Sequence, residues 1–264
     1  MDDATTAERE IRPPVEQRGD PVGTFMRGLG ELMVTAGLIV LLFVVYELYV
    51  TDLITSRAQD TLSRELRDDW GQQPAAAAPP AEPTDVPVGE AFAFLHIPRL
   101  GDQFPRAIVQ GTSQTELATG PGHYVDTAMP GQPGNMSVAG HRVGKGSPFL
   151  DLDQLRPGDP IVVETALAWY EYRVLGDQVT GDLSLAVDGV PGRQIVAPTE
   201  IGVIAPVPGQ PGVAPTASYL TLTTCHPKYS AQQRLIVHAV LAGPPVSRAE
   251  LPDGPAALQE VPSD

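Results

Sequence analysis

The residue best equipped for covalent chemistry in this 264-residue chain is its single cysteine, Cys225. It closes the run SYLTLTTC, whose alternation reads as a strand with Leu220 and Leu222 on one face and Thr221, Thr223 and Cys225 on the other. A lone cysteine is commonly a small buried hydrophobe. A strand end, where loops bring other groups near, is a poor place to keep an unpaired thiol without a use for it. A nucleophilic thiol needs a base and a group to hold the developing oxyanion. Of the five histidines, His226 adjoins the cysteine and points to the opposite face, and His96 and His238 lie inside apparent strands, where structural roles are commoner. The Gly/Pro-rich setting of His123 gives no geometry. His141 ends another strand, NMSVAGH, with Gly140 before it to permit close backbone approach, and is the best-placed base. Arg234 opens the strand that follows Cys225 after a short loop, so a guanidinium there can stand beside the thiol. Spacing alone leaves it equally an exposed edge residue.

The elements that must position these groups are short β-branched or aromatic runs between Gly and Pro: AFAFLHI, NMSVAGH, PIVVET, ALAWYEYRVL, GVIAPV, SYLTLTTC and RLIVHAVL. Their spacing over residues 90–243 describes an antiparallel sandwich or barrel, with short helical turns expected at Ser113–Thr119 and Leu150–Leu155. Upstream, Leu32–Val50 is 19 residues with only Glu47 charged, about 28 Å as a helix and close to the thickness of a bilayer core. No small-x-small cleavage site follows it, so 29–50 reads as an uncleaved signal anchor. Arg12, Arg18 and Arg27 before the span balance Arg57, Arg64 and Arg67 after it, and charge leaves the orientation open. Residues 1–28 read as a disordered tail, 51–70 as a polar helix leaving the membrane, 71–89 as a Pro/Ala linker and 244–264 as a disordered acidic tail.

With 17 basic and 32 acidic residues, the net charge of −15 argues against a nucleic-acid partner. One thiol excludes an intramolecular disulfide and a cysteine-based zinc site. The acidity is uneven: residues 1–89 carry seven basic against fifteen acidic groups, 90–243 nine against thirteen, and 244–264 one against four. Most of it therefore belongs to the flanks of the β-rich segment.

The ordered set GPGHY, AMPGQPGN, AGHR, LRPGD and TLTTCHPKYSAQQRLIVHA, with Arg nine residues after the cysteine of TLTTC, resembles the sortase family, in particular class E sortases of high-GC Gram-positive bacteria. The resemblance spans Phe92 to Ala242 and implies an all-β fold, a sortase-like closed barrel of about eight strands with short helices, preceded by one transmembrane helix. It implies Cys225 as nucleophile, His141 as general acid and base, and Arg234 as the group that positions the scissile carbonyl and stabilises its oxyanion. Such enzymes cleave a sorting signal between Thr and Gly and pass the acyl group from a cysteine thioester to an amine of peptidoglycan or a pilin. Class E members are expected to prefer Leu-Ala-x-Thr-Gly. The same resemblance assigns Tyr124 to reading the second signal residue and Thr224 to the pocket that holds the substrate backbone. It implies sorting-signal proteins as partners, no cofactor, and a single-pass location in the cell membrane with the catalytic domain outside. No acidic cluster has the spacing of the calcium site of some class A enzymes, so no metal requirement is expected. Unperturbed Cys and His pKa values make the joint thiolate–imidazolium state on the order of one per cent at pH 7, and Arg234 should favour the thiolate. Residues 176–193 match nothing in the family pattern and are expected near the substrate groove. A non-catalytic tethered adaptor, a hydrolase and an envelope L,D-transpeptidase remain alternatives, although TLTTCHP does not match the S-x-G-C-x-R motif of the last.

Overall fold

The computed structural model describes residues 21–46, 51–72, 85–101 and 105–260. The chain forms two units, one ending at Tyr46 and the other beginning at Glu47. The first unit holds one described helix, α1 (Pro21–Val45), with no buried residue. Its 18-residue window of mean hydropathy 2.3 makes it long and apolar enough to cross a bilayer. It begins at Pro21, inside the stretch expected to be a disordered tail, because only Arg27 is charged between Pro21 and Gly30 and Pro is tolerated at a helix start. Residues 1–20 and 47–50, including Glu47, lie outside the described residues.

The second unit opens with α2 (Thr51–Gln72). It is not a free polar helix. Leu62, Leu66 and Trp70 recur every fourth residue, the spacing of one helix face, and pack on Phe94 and Ala107 of the β-domain. Trp70 meets the Phe94 ring edge-on at 5.4 Å. Gln59 behaves like a short piece of strand: its Oε1 accepts from the Ala107 amide and its Nε2 donates to the Ala107 and Thr119 carbonyls. Arg67 clamps the fully buried Glu164 with two hydrogen bonds of 2.5 and 2.8 Å, while His96 and Arg248 approach the same carboxylate at 2.9 and 3.3 Å. Burial pushes the Glu164 carboxyl upward, but the hydrogen bonds from His96 and Arg67 and their charges outweigh it and hold it below the usual carboxylate range. Most of the expected linker, 73–84, lies outside the described residues.

Twelve strands follow: β1 (Ala91–His96), β2 (Arg106–Gln110), β3 (Gly122–His123), β4 (Gly134–Ala139), β5 (Pro160–Glu164), β6 (Ala168–Val174), β7 (Ala186–Val187), β8 (Val190–Pro191), β9 (Arg193–Val196), β10 (Ser218–His226), β11 (Gln233–Leu241) and β12 (Val246–Ser247). Eight of them close a ring in the order β6-β5-β1-β2-β3-β4-β10-β11, sealed by the pairing of β11 with β6. Strands β9 and β12 flank it on β11 and β6. Alternation sorts the faces: Met136 and Val138 of β4, Leu220 and Leu222 of β10, and Leu235, Val237 and Ala239 of β11 all enter one apolar core. The helix α3 (Gln114–Leu117) sits where the first helical turn was expected and is started by a capping box between Ser113 and Glu116. A 3-10 turn at Leu152–Gln154 occupies the second place.

Two expectations need correction. GVIAPV is not a strand; Ile201–Ile204 form a 3-10 turn, and Pro206 and Pro208 after it lack the amides a ladder requires. The expected disordered tail is ordered as far as Glu260: β12 pairs with β6, Trp169 donates its indole N–H to the Leu251 carbonyl at 2.9 Å, and Ala257 is buried against Val162 and Trp169. Segment 176–193 includes the β7–β8 ribbon, and its two ends meet at His238, which accepts from the Leu175 amide and donates its own amide to Gly192. That places its base at His238, four residues along β11 from Arg234. Trp70→Ala should cost about 3–5 kcal/mol, the range for emptying a buried aromatic site, read from urea unfolding of the full chain; an unchanged midpoint would show that α2 adds nothing to the barrel.

Candidate active site

Cys225 is the penultimate residue of β10 and stands directly opposite Arg234 of β11 in antiparallel register. Residues so paired present their side chains on one face with Cβ atoms about 4.5–5.5 Å apart. On its other edge β10 runs parallel to β4, with Thr223 opposite Ala139. Two residues beyond that pair are Cys225, still in β10, and His141, just past the end of β4, so the thiol, the histidine and the guanidinium-bearing Arg234 come to one end of the barrel. Cys225 and Arg234 share the outward phase, because Leu220, Leu222 and Leu235 take the inward one.

The approach of β4 to β10 is held past the end of the regular ladder. The Gly140 amide donates to the Thr223 carbonyl at 3.1 Å, and the Thr224 hydroxyl donates back to the Gly140 carbonyl at 2.8 Å. Gly140 is required here: a Cβ would lie 2.5 Å from the ring of Phe149, which is fully buried and whose amide donates to the His141 carbonyl. Thr224, expected to hold substrate backbone, shares the phase of Leu220 and Leu222, is buried, and spends its hydroxyl on Gly140. It ties the cysteine strand to the histidine strand and does not face the outward site. Tyr124 does reach that face, where its hydroxyl lies 3.1 Å from the Thr223 hydroxyl.

His141 is half-buried, and its Nε2 atom is buried without a hydrogen-bond partner among the described residues. Burial, assisted by the positive charge of Lys145, pushes its pKa below the ordinary 6.5, so the imidazole rests neutral at pH 7. Arg234 donates from Nη1 to the carbonyls of Ala231 and Gln233, both at 3.0 Å, which fixes the guanidinium against its own loop. Its Nε and Nη2 groups hold no partner among the described residues.

Sequence reasoning missed Arg142. This guanidinium is 3 % exposed and forms a salt bridge from Nη2 to Asp153 at 2.9 Å. Its Nη1 donates to the Cys225 carbonyl at 3.4 Å and to His226 Nδ1 at 3.2 Å, and its Nε donates to the Leu150 carbonyl at 3.3 Å. One side chain thus braces the end of the cysteine strand against the loop that follows the histidine. The Arg in AGHR was the available signal, since a charge beside a candidate base is either a second functional group or a buried brace. The remaining histidines have structural partners: His123 with Gln110 and Thr127, His96 with Glu164, His226 with Arg142, and His238 with Thr221 and Gln194.

Cys225, His141 and Arg234 stand at one end of a closed eight-strand barrel, and the sortase domain model matches residues 95–242. The chain belongs to the sortase family. That family consists of cysteine transpeptidases. Among curated sortases, SrtE1 of Streptomyces coelicolor is 34% identical over 218 residues, covering 80% of this chain and 55% of the relative, so the chain spans about half of that protein's length. SrtE2 of the same organism is 33% identical over 232 residues, covering 86% of this chain and 83% of the relative. Among solved structures, the SrtF sortase from Corynebacterium diphtheriae is 39% identical with a TM-score of 0.62, covering 70% of this chain and 100% of that one. Sortase E1 from Streptomyces coelicolor, solved with a tripeptide in its active site, is 32% identical with a TM-score of 0.53, covering 64% of this chain and 97% of that one.

Two outcomes follow from the geometry. The His141 ring should titrate by NMR with a midpoint below 6.5, and Lys145→Gln should move that midpoint upward, because removing a positive charge favours the imidazolium. Gly140→Ala should destabilise the sortase domain by about 1–3 kcal/mol, the usual cost of overpacking, as Phe149 is displaced from beneath the strand; an unaltered denaturant midpoint would count against the close approach.

Proposed function

We propose that this sortase cleaves a C-terminal sorting signal of the form Leu-Ala-x-Thr-Gly between Thr and Gly and transfers the acyl group to an amine of the cell wall or of a pilin. The observation that supports the reading is the meeting of Cys225, His141 and Arg234 at one end of the barrel, with the His141 Nε2 buried and without a partner among the described residues. A buried ring nitrogen left without a partner is costly unless it is used, and a base that rests neutral is in the form needed to take a proton.

In the acylation half-reaction the Cys225 sulfur bonds to the Thr carbonyl carbon while His141 takes the thiol proton. The carbonyl oxygen becomes an oxyanion facing Arg234, whose Nε and Nη2 are the open donors. Collapse breaks the C–N bond, His141 returns its proton to the departing Gly amine, and a thioester remains on the sulfur. An incoming amine then attacks the same carbon, His141 accepts its proton, and the sulfur leaves as thiol. Tyr124 stands over Thr223 on the same face and is placed to touch the signal residues before the scissile bond. Thr224 acts on the backbone that holds Cys225 and His141 together. The apolar α1 suits a signal anchor that keeps the catalytic domain outside the membrane near envelope substrates.

Mass spectrometry of a Leu-Ala-x-Thr-Gly reporter incubated with candidate amines tests the reading. Cys225→Ala should abolish thioester and product, His141→Ala should lose roughly 10²–10⁴ in rate, and Arg234→Ala roughly 10²–10³. Full activity in Cys225→Ala would sink it, and product that rises with amine concentration separates transfer from simple hydrolysis.

A further inference from the structure

The outward face of β4, β10 and β11 carries a second set of polar groups below the reactive end. Asn135, Thr221 and His238 all have the outward phase, yet they are 1, 0 and 0 % exposed. Outward side chains of a barrel ordinarily meet water. These do not: the 201–205 turn lies against Asn135, whose Nδ2 donates to the carbonyls of Val203 at 3.2 Å and Ala205 at 3.0 Å, and Gln194 of β9 lies against His238. The Thr221 hydroxyl donates to Asn135 Oδ1 at 2.7 Å and lies 2.8 Å from His238 Nδ1, while Gln194 Nε2 lies 3.0 Å from His238 Nε2. An amide nitrogen only donates, so His238 Nε2 is the acceptor and Nδ1 carries the proton. Every donor in the chain from Gln194 to the turn therefore faces an acceptor, in one direction. Burial, which pushes the His238 pKa down to about 3, keeps that ring neutral and the proton arrangement fixed.

We propose that the chain Gln194–His238–Thr221–Asn135 positions the 201–205 turn as a wall of the groove in which the sorting signal binds. The proposal rests on the transpeptidase reading above and adds the determinant that shapes its binding face. The segment bearing the turn leaves β9 at Val196, which is paired with Arg234, so it starts beside the reactive groups and runs down the same face to Asn135. Thr221 precedes Cys225 by four residues, about 13 Å along a strand. Four extended peptide residues before the scissile bond cover about the same distance. The turn is thus anchored where the first residue of a signal would lie, and it presents Ile201, 77 % exposed, an apolar side chain suited to an apolar signal residue. The chain also gives a use to the first threonine of TLTTC, which the catalytic chemistry leaves unemployed.

Thr221→Val keeps the shape and removes the hydroxyl, leaving His238 Nδ1–H and Asn135 Oδ1 unpaired; Thr221→Ser restores it. In full-length protein, Thr221→Val should raise KM for the Leu-Ala-x-Thr-Gly peptide about tenfold with kcat changed less than about threefold, and Thr221→Ser should behave as wild type. Amide hydrogen exchange over residues 200–207 should quicken in the Val variant and not in the Ser variant. If Thr221→Val does not fold, Asn135→Asp replaces it, because it keeps the acceptor for Thr221 and deletes both donors to the turn. Equal impairment by Val and Ser, an unchanged KM in a folded chain-breaking variant, or unaltered exchange in the turn overturns the proposal. Should wild-type protein leave the peptide uncleaved, the proposed function fails, and the exchange pattern alone then decides whether the chain positions the turn.

Discussion

The structure depends first on the parallel pairing of β4 with β10. Antiparallel neighbours end at opposite edges of a sheet, so a histidine and a cysteine at the C-terminal ends of two strands meet only if those strands run the same way. The six-residue register from Gly134–Ser218 to Ala139–Thr223 supplies that condition between residues 84 apart in the chain. The antiparallel β11 then brings its first residues, not its last, to the same edge, which is why Arg234 near a strand start joins two residues near strand ends. Gly140, Thr224 and Phe149 hold the two parallel strands together beyond the last ladder pair, where hydrogen bonding would otherwise stop.

Much of this was legible in sequence. The alternation in SYLTLTTC separates the core-facing leucines from the outward threonines and cysteine, and the structure keeps that division. The ordered set of motifs around His141, Cys225 and Arg234 identified the family and its barrel. The role of Thr224 was not legible, because a buried threonine and a substrate-facing threonine have the same one-letter code and differ only by strand phase. Arg142 was hidden for a related reason: a guanidinium is read as solvent-exposed unless its partner, here Asp153 eleven residues on, is known to fold back against it.

The flanking segments show where composition misleads. Residues 244–260 are rich in Pro and Ala and carry few strand formers, yet Trp169 and β6 give them an indole donor, two ladder positions and a buried alanine site. Likewise α2 has a polar composition, and its order comes from three apolar residues on one stripe and one buried carboxylate. Local composition describes what a segment does alone; these two are ordered by a surface the barrel provides.

The Glu164 cluster joins these two segments. Arg67 from α2 and Arg248 from the C-terminal segment converge on one carboxylate at the end of β5, stacked with the Trp70 and Phe94 rings. In the ring β5 is separated from β10 by β6 and β11. Both flanking segments are therefore tied together at a carboxylate of β5, a strand that does not bear the cysteine or Arg234.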